Sequence, residues 1–149
     1  MSPQAKAPEA ITDTHMWSRI LTLHTLVESR LATALQRHHA LGLSEYRALV
    51  SLDDAPDNEL RMQDLATKIG LNQSSVTRLV SRLNAADLTY RDLCPDDKRG
   101  VYTVLTESGR TRYQQARATY ESTLAAALAE AAESDPAVAG ILGAARVAV

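Results

Sequence analysis

Residues 62–83 read Met62-Gln-Asp-Leu-Ala-Thr-Lys-Ile-Gly-Leu-Asn-Gln-Ser-Ser-Val-Thr-Arg-Leu-Val-Ser-Arg-Leu83. Leu65, Ala66 and Ile69 fall on one helical face. Ala66 is small where a second helix must cross closely. Gly70 follows the last turn, where a left-handed backbone is least strained in glycine. Asn72 is a good N-cap for the next helix. Val76, Leu79, Val80 and Leu83 then form an inward stripe. The opposite face carries Gln73, Ser74, Ser75, Thr77, Arg78, Ser81 and Arg82. These are short polar and long cationic side chains, the types that reach base edges and phosphates. The pattern predicts a helix-turn-helix.

The continuation sharpens that reading. Leu88-Thr-Tyr-Arg-Asp-Leu93 and Val101-Tyr-Thr-Val-Leu105 are β-type runs, and Cys94-Pro-Asp-Asp-Lys-Arg-Gly100 between them is full of turn formers. A hairpin directly after a recognition helix is a wing. The expected fold is therefore mainly α with a small β-hairpin wing: a winged helix-turn-helix with further helices at both ends.

Those outer helices follow from spacing. Trp17, Ile20, Leu21, His24, Val27, Leu31 and Leu35 predict a first helix over about residues 14–40, ended by Gly42. Ser44 caps a second helix with Tyr46, Leu49, Val50 and Leu52 inward. Asp53 to Glu59 reads as a polar loop. Thr106 caps a long helix to about Ala132, with Tyr113, Ala116, Tyr120, Leu124 and Leu128 on one stripe. Asp135-Pro136 breaks it, because the residue before proline resists helical geometry. A short last helix follows with Val138, Ile141 and Leu142 apolar.

Here the chain resembles the MarR family of bacterial transcription regulators, over roughly residues 15–135. The matching residues are Leu65-Ala66, Ser74 to Leu83, Arg91, Asp97-Lys-Arg99 and Leu105-Thr-Glu-Ser-Gly109. The family's wing carries Asp-x-Arg, and Leu-Thr-x-x-Gly opens its next long helix. Two positions depart. Asp87 stands where the family usually has Gly, and Arg61-Met62 opens the third helix where Ser or Thr commonly caps. A cap from Asn58 is expected there instead.

The resemblance implies an organisation. Residues 1–13 are an N-terminal arm expected to be disordered, and 14–149 form one regulator-like chain. Within it, 44–106 is the DNA-binding lobe, and helices 14–40 and 107–147 pair two copies across a two-fold axis. Such a homodimer sets two recognition helices about one DNA turn apart, ~34 Å, suited to a near-palindromic operator on double-stranded DNA. Internal packing is the competing account of the apolar terminal stripes. In the family a ligand cleft often lies between dimer arm and DNA-binding lobe. His15, Trp17, His24 and Arg47 can border it and would suit a phenolic or carboxylate effector; core packing is the other reading of Trp17 and His24.

Composition fits. The 149 residues suffice for one modest core, with no Phe and one Trp. The net charge is −2, but residues 61–117 hold ten Lys/Arg against six Asp/Glu, while both flanks are acidic. A basic middle between acidic ends suits a DNA-facing segment. No apolar run approaches the ~20 residues of a membrane helix, Met1 to Pro8 lacks the core of a secretory signal, and the single cysteine forbids an intrachain disulfide. A cytoplasmic protein without membrane partner is the simplest expectation. Neighbouring His38 and His39 diverge on a helix and make a poor metal pair, and Asp53-Asp54 and Asp96-Asp97 suit turns rather than a catalytic dyad. No nucleophile–base set and no Gly-rich phosphate loop is legible, so neither enzyme, cofactor nor metal is expected.

The residues expected on DNA are Gln73, Ser74, Ser75, Thr77, Arg78, Arg82, Lys98 and Arg99. Arg99, at the wing tip, suits the negative minor groove. By resemblance Asp97 holds Arg99, Arg82 or Arg91 in position; as a plain turn residue it needs no such role. Cys94, beside Arg91, Lys98 and Arg99, has the surroundings that lower a thiol pKa. A redox switch at Cys94 is one alternative; oxidant sensors of the family usually carry theirs near the start of the first helix. A winged helix that binds DNA without a ligand, or that serves protein contacts, is another. The leading expectation is a dimeric repressor released by a small molecule.

Overall fold

The computed structural model describes residue 3 and residues 11–93 and 100–147. Most of the N-terminal arm and the wing tip, including Cys94, Asp97, Lys98 and Arg99, lie outside the described residues. The helices are α1 (Asp13–His39), α2 (Leu43–Asp54), α3 (Met62–Ile69), α4 (Gln73–Ala85), α5 (Glu107–Ser134) and α6 (Pro136–Ala145), and the strands are β1 (Glu59–Arg61), β2 (Thr89–Leu93) and β3 (Val101–Leu105). No helix among the described residues is long and apolar enough to cross a membrane.

The chain divides into two compact units: Met1–Arg30 with Leu124–Val149, and Leu31–Thr123. The second holds the large core. Leu31, Leu35, Leu41, Leu49, Leu52, Leu65, Val76 and Leu79 are fully buried, with Leu83 at 1% exposure. Each such leucine contributes about 2 kcal/mol, so the winged helix is secured by its own leucines. Helix α2 packs on α3, and α3 on α4.

Several local rules hold as the sequence dictates. Gly70 ends α3 at φ 72°, left-handed. Asn72 caps α4, its side chain accepting from the Ser75 amide at 2.9 Å. The Thr106 Oγ1 accepts from the Gly109 amide at 2.9 Å, capping α5. Asp135 separates α5 from α6 and accepts the Ala137 N–H at 3.0 Å. Asp87 takes φ 59°, the left-handed geometry that the family's usual glycine adopts with less strain.

Other local expectations are corrected. Gly42 does not end α1. The turn comes two residues earlier, at Ala40 with φ 49°. A left-handed alanine costs about 1–2 kcal/mol; burying Leu41 completely, one residue on, offsets it. Gly42 instead precedes α2 as its N-cap, and its N–H donates to Glu45 Oε2 at 3.2 Å, so Ser44 is not the cap. Asn58 does not cap α3: its amide donates to the Asp53 carbonyl at 3.0 Å, and its Oδ1 accepts from Arg110. The segment read as a polar loop ends in β1, which pairs antiparallel with β3 (Leu60 opposite Thr103) and makes the sheet three-stranded, in the order β1-β3-β2. Three residues are too few for a period-two signal; only the partner strand makes them a strand.

The first unit contrasts with the second. Among the described residues its buried apolar side chains are Ala127, Ala131 and Val138, while Met16, Trp17, Leu21 and Ile141 are 40–57% exposed. The stripe predicted along α1 thus splits. Leu31 and Leu35 enter the core of the second unit, and Trp17 and His24 do not pack in a core within one chain.

Candidate nucleic-acid interface

Helix α4 presents its inward stripe of Val76, Leu79, Val80 and Leu83 to the core. That burial sets the rotation of the helix. Gln73, Ser74, Thr77, Arg78, Ser81 and Arg82 are consequently exposed, with Ser75 half-buried. Of the residues expected on DNA, the structure therefore places Gln73, Ser74, Ser75, Thr77, Arg78 and Arg82 on one helix, and Lys98 and Arg99 fall outside the described residues.

The polar side chains on this helix are not equivalent. Ser74 Oγ donates to Asn72 Oδ1 at 3.0 Å, Thr77 Oγ1 to the Gln73 carbonyl at 2.8 Å, and Ser81 Oγ to the Thr77 carbonyl at 2.9 Å. Phosphate oxygens only accept, so each of these hydroxyls must rotate away from its present acceptor before it can donate to DNA. Arg82 Nε donates to Glu45 Oε1 at 3.4 Å, while the other oxygen of Glu45 accepts from the start of α2. Arg82 is thereby drawn toward α2. Gln73 and Arg78 remain as exposed, long, donor-bearing side chains near the capped end of α4.

The stem of the wing is β2 and β3. Thr89 faces Leu105 and Leu93 faces Val101, and Thr89 and Thr103 are buried at 2% and 1% exposure. Tyr90, Arg91, Asp92 and Leu93 are exposed. Arg91 lies opposite Thr103 on the edge strand, so the wing-orienting role expected of it depends on residues beyond the described part of the hairpin. At the far edge Arg61 Nε donates to the Tyr102 hydroxyl at 3.0 Å, with its guanidinium 5.4 Å from the ring centre. This cation–π contact fixes the stem beside the start of α3.

Behind these elements two joints escaped the sequence reading. Thr106 accepts the Gly109 amide and also donates its hydroxyl to the Asp87 carbonyl at 2.7 Å. One side chain thus ties the turn after α4 to the start of α5. The second joint closes α2 on α5. Asp53 Oδ1 accepts from Arg110 Nε at 2.9 Å, its Oδ2 accepts from the Tyr113 hydroxyl, and Arg110 also reaches Asn58 at 2.7 Å. The Tyr113 hydrogen bond first, then Arg110, holds the Asp53 carboxyl below the usual carboxylate range. Burial first, then the bond to Asp53, pushes the Tyr113 phenol up. The partners of Glu45 and Asp53 lie 37 and 57 residues away in the chain, and no local signal announces them.

The residues expected at a ligand cleft are spread over the two units. His15 lines a cavity of the first unit, between α1 and the α5–α6 corner. Trp17 is 57% exposed, and His24 pairs on its own helix with Glu28 at 3.8 Å. Arg47 is half-buried on α2, in the second unit. His39 bonds Thr119 Oγ1 at 2.7 Å, and no metal-binding group of His, Cys, Asp or Glu occurs among the described residues.

The model of the MarR family matches residues 41–101. No curated protein matches. Among solved structures the chain is similar to AbsC, a MarR family transcriptional regulator from Streptomyces coelicolor, at 27% identity over 93% of this chain and 98% of that one, with a TM-score of 0.71. It is similar to Sco3205, a MarR family transcriptional regulator of the same organism in complex with DNA, at 26% identity over 95% and 91% of the two chains, TM-score 0.74. It is also similar to CouR from Rhodococcus jostii RHA1 bound to p-coumaroyl-CoA, at 26% identity over 77% and 78%, TM-score 0.63.

Proposed function

We propose, from the premise that this chain belongs to the MarR family of winged-helix transcriptional regulators, that it is a cytoplasmic homodimeric repressor whose grip on DNA is loosened by a small phenolic or carboxylate effector. The observation that carries the DNA-binding part is α4. Its apolar stripe is fully used in the core, which leaves Gln73, Thr77 and Arg78 outward on a helix that begins at a capped, glycine-turned corner. That is the form of a helix that lies in a major groove. Similarity to Sco3205, whose structure contains DNA, supports it over nearly the whole chain. The effector part is supported by CouR, whose structure holds a phenolic thioester.

In this reading Gln73 and Arg78 meet base edges, Ser74, Ser75 and Thr77 turn their hydroxyls to phosphates, and Arg82 and Lys98 meet the backbone. Arg99 enters the minor groove, with Asp97 and Arg91 holding the wing. The two lobes of a dimer read two half-sites, and an effector that changes their separation releases the DNA by population shift.

Fluorescence anisotropy on duplex DNA from upstream of the protein's own gene, at several salt concentrations, tests this. Specific binding in the nanomolar range, by two subunits and with a steep salt slope, is expected. Arg78→Ala should weaken it by about 1–3 kcal/mol and relax sequence preference, whereas Lys98→Ala should weaken all duplexes alike and lower the salt slope by about one. Sequence-indifferent micromolar binding would defeat the reading.

A further inference from the structure

Glu45 occupies the third position of α2 and folds back over the start of its own helix. One carboxylate oxygen, Oε2, accepts the Gly42 N–H at 3.2 Å, and the other, Oε1, accepts from Nε of Arg82 on α4 at 3.4 Å. One acid thus joins the start of α2 to the outer face of α4.

Gly42 gives that acid its seat. The backbone there, at φ −71° and ψ 151°, suits any residue, so conformational freedom is not what glycine supplies. A Cβ at this position would lie 3.3 Å from Glu45 Cδ and 3.4 Å from Oε1, tighter than ordinary contact. The missing side chain leaves room for the carboxylate, including the oxygen that meets Arg82. The Glu45 side chain is 21% exposed and that of Arg82 58%. The acid is the fixed member of the pair and the arginine the adjustable one.

The form of the contact says what it does to Arg82. It uses Nε, the nitrogen nearest the stem, and it is longer than the about 2.7–2.9 Å of a well-made charge-assisted bond. An end-on bidentate grip on a phosphate uses Nη1 and Nη2, which this contact does not engage. A carboxylate that sequestered the arginine would take its fork in two short bonds. One long bond at Nε steers the side chain without consuming its donors. Arg78 lies one turn earlier on the same exposed face, and like charges at that spacing repel. A carboxylate beside Arg82 offsets that repulsion.

We propose that Glu45 is a positioning residue for DNA binding: seated against Gly42, it holds Arg82 in the orientation in which the terminal nitrogens take a backbone phosphate. The inference deepens the DNA-binding reading and rests on it.

The test is a double-mutant cycle on the full-length protein, read by fluorescence anisotropy on the duplex from upstream of its own gene. Glu45→Gln keeps an oxygen for the Gly42 N–H, as glutamine does at this helix position, but removes the charge that steers Arg82. It should weaken specific binding about threefold or more when Arg82 is present, and should not weaken binding in the Arg82→Ala background. Its salt slope should fall toward that of Arg82→Ala. Gly42→Ala keeps the charge but crowds the carboxylate, and should weaken binding with the same dependence on Arg82. Urea unfolding of each variant separates loss of fold from loss of orientation, because a purely structural role gives no coupling to Arg82 on DNA. Equal changes in both backgrounds overturn the proposal, since the acid then acts only by general repulsion of phosphate. Tighter binding by Glu45→Gln that depends on Arg82 also overturns it, and makes Glu45 a restraint on the arginine. Specific wild-type binding without coupling defeats this proposal alone, whereas wild-type binding indifferent to sequence defeats the regulator reading beneath it.

Discussion

Gly109 has no room for a methyl group. A Cβ built there would lie 2.1 Å from the Leu88 carbonyl oxygen and 2.8 Å from a Leu105 methyl. The glycine of the Leu-Thr-x-x-Gly run is therefore required by close backbone approach, at the point where Thr106 also binds the Asp87 carbonyl. Gly109→Ala should cost at least about 1–3 kcal/mol, as overpacking does, and urea unfolding would measure it; an unchanged midpoint would refute the argument. Asn72→Ala should cost about 1 kcal/mol by the same assay, through loss of the α4 cap. The two residues differ in legibility. Asn72 announces its role through its neighbours in sequence. Gly109 shows only that something forbids a side chain, and the obstructing atom belongs to a strand start 21 residues away.

At the scale of elements, the joint between α2 and α5 is the feature with a pH signature. Asp53 is held ionised by Tyr113 and Arg110 below its ordinary value. A carboxyl with a lowered folded pKa contributes fully above its unfolded value of about 3.9, and the contribution drains as pH falls through the folded value. Acid unfolding should therefore begin below about pH 4 with Asp53 among its causes. Asp53→Asn should flatten that limb of the stability curve and lower stability at neutral pH. Tyr113→Phe should cost about 1 kcal/mol at pH 7, the net worth of a buried hydrogen bond, and shift the acid limb upward. A wild-type acid limb in Asp53→Asn would count against the joint. The sequence placed Asp53 in a turn, whereas the structure carries α2 through Asp54, so Asp53 is helical. Nothing local showed that two residues of α5 would come to hold it.

For the whole molecule, the contrast between the units matters most. The second unit buries leucines completely, whereas the first, among the described residues, buries two alanines and a valine and exposes Trp17, Leu21 and Ile141. A helix pair with so small a core calls for further cover, and a second copy is the cover that the proposed dimer supplies. Leu21→Glu alters a residue 47% exposed in the single chain, so the fold should persist. Sedimentation should show dimer affinity lowered by at least about tenfold, as for a central apolar contact, with loss of operator binding in proportion. A dimer indifferent to the change would exclude this face. The charge distribution belongs to this scale too: a net −2 chain carries its basic residues in the middle, where α3, α4 and the wing strands lie.

Periodicity, caps and breakers by themselves determined the order of helices, the turn at Gly70, the cap at Asn72 and the wing strands. Each of these is decided within a few residues, by steric limits on φ or by one side chain reaching a nearby amide. Only the tertiary structure decided the rest. It made Glu59–Arg61 a strand by offering β3, moved the end of α1 to Ala40 by burying Leu41, drew Arg82 toward Glu45, and left Trp17, Leu21 and His24 of the α1 stripe exposed. Those outcomes rest on partners far apart in the chain, and spacing along a sequence carries no record of which distant surface a side chain will meet.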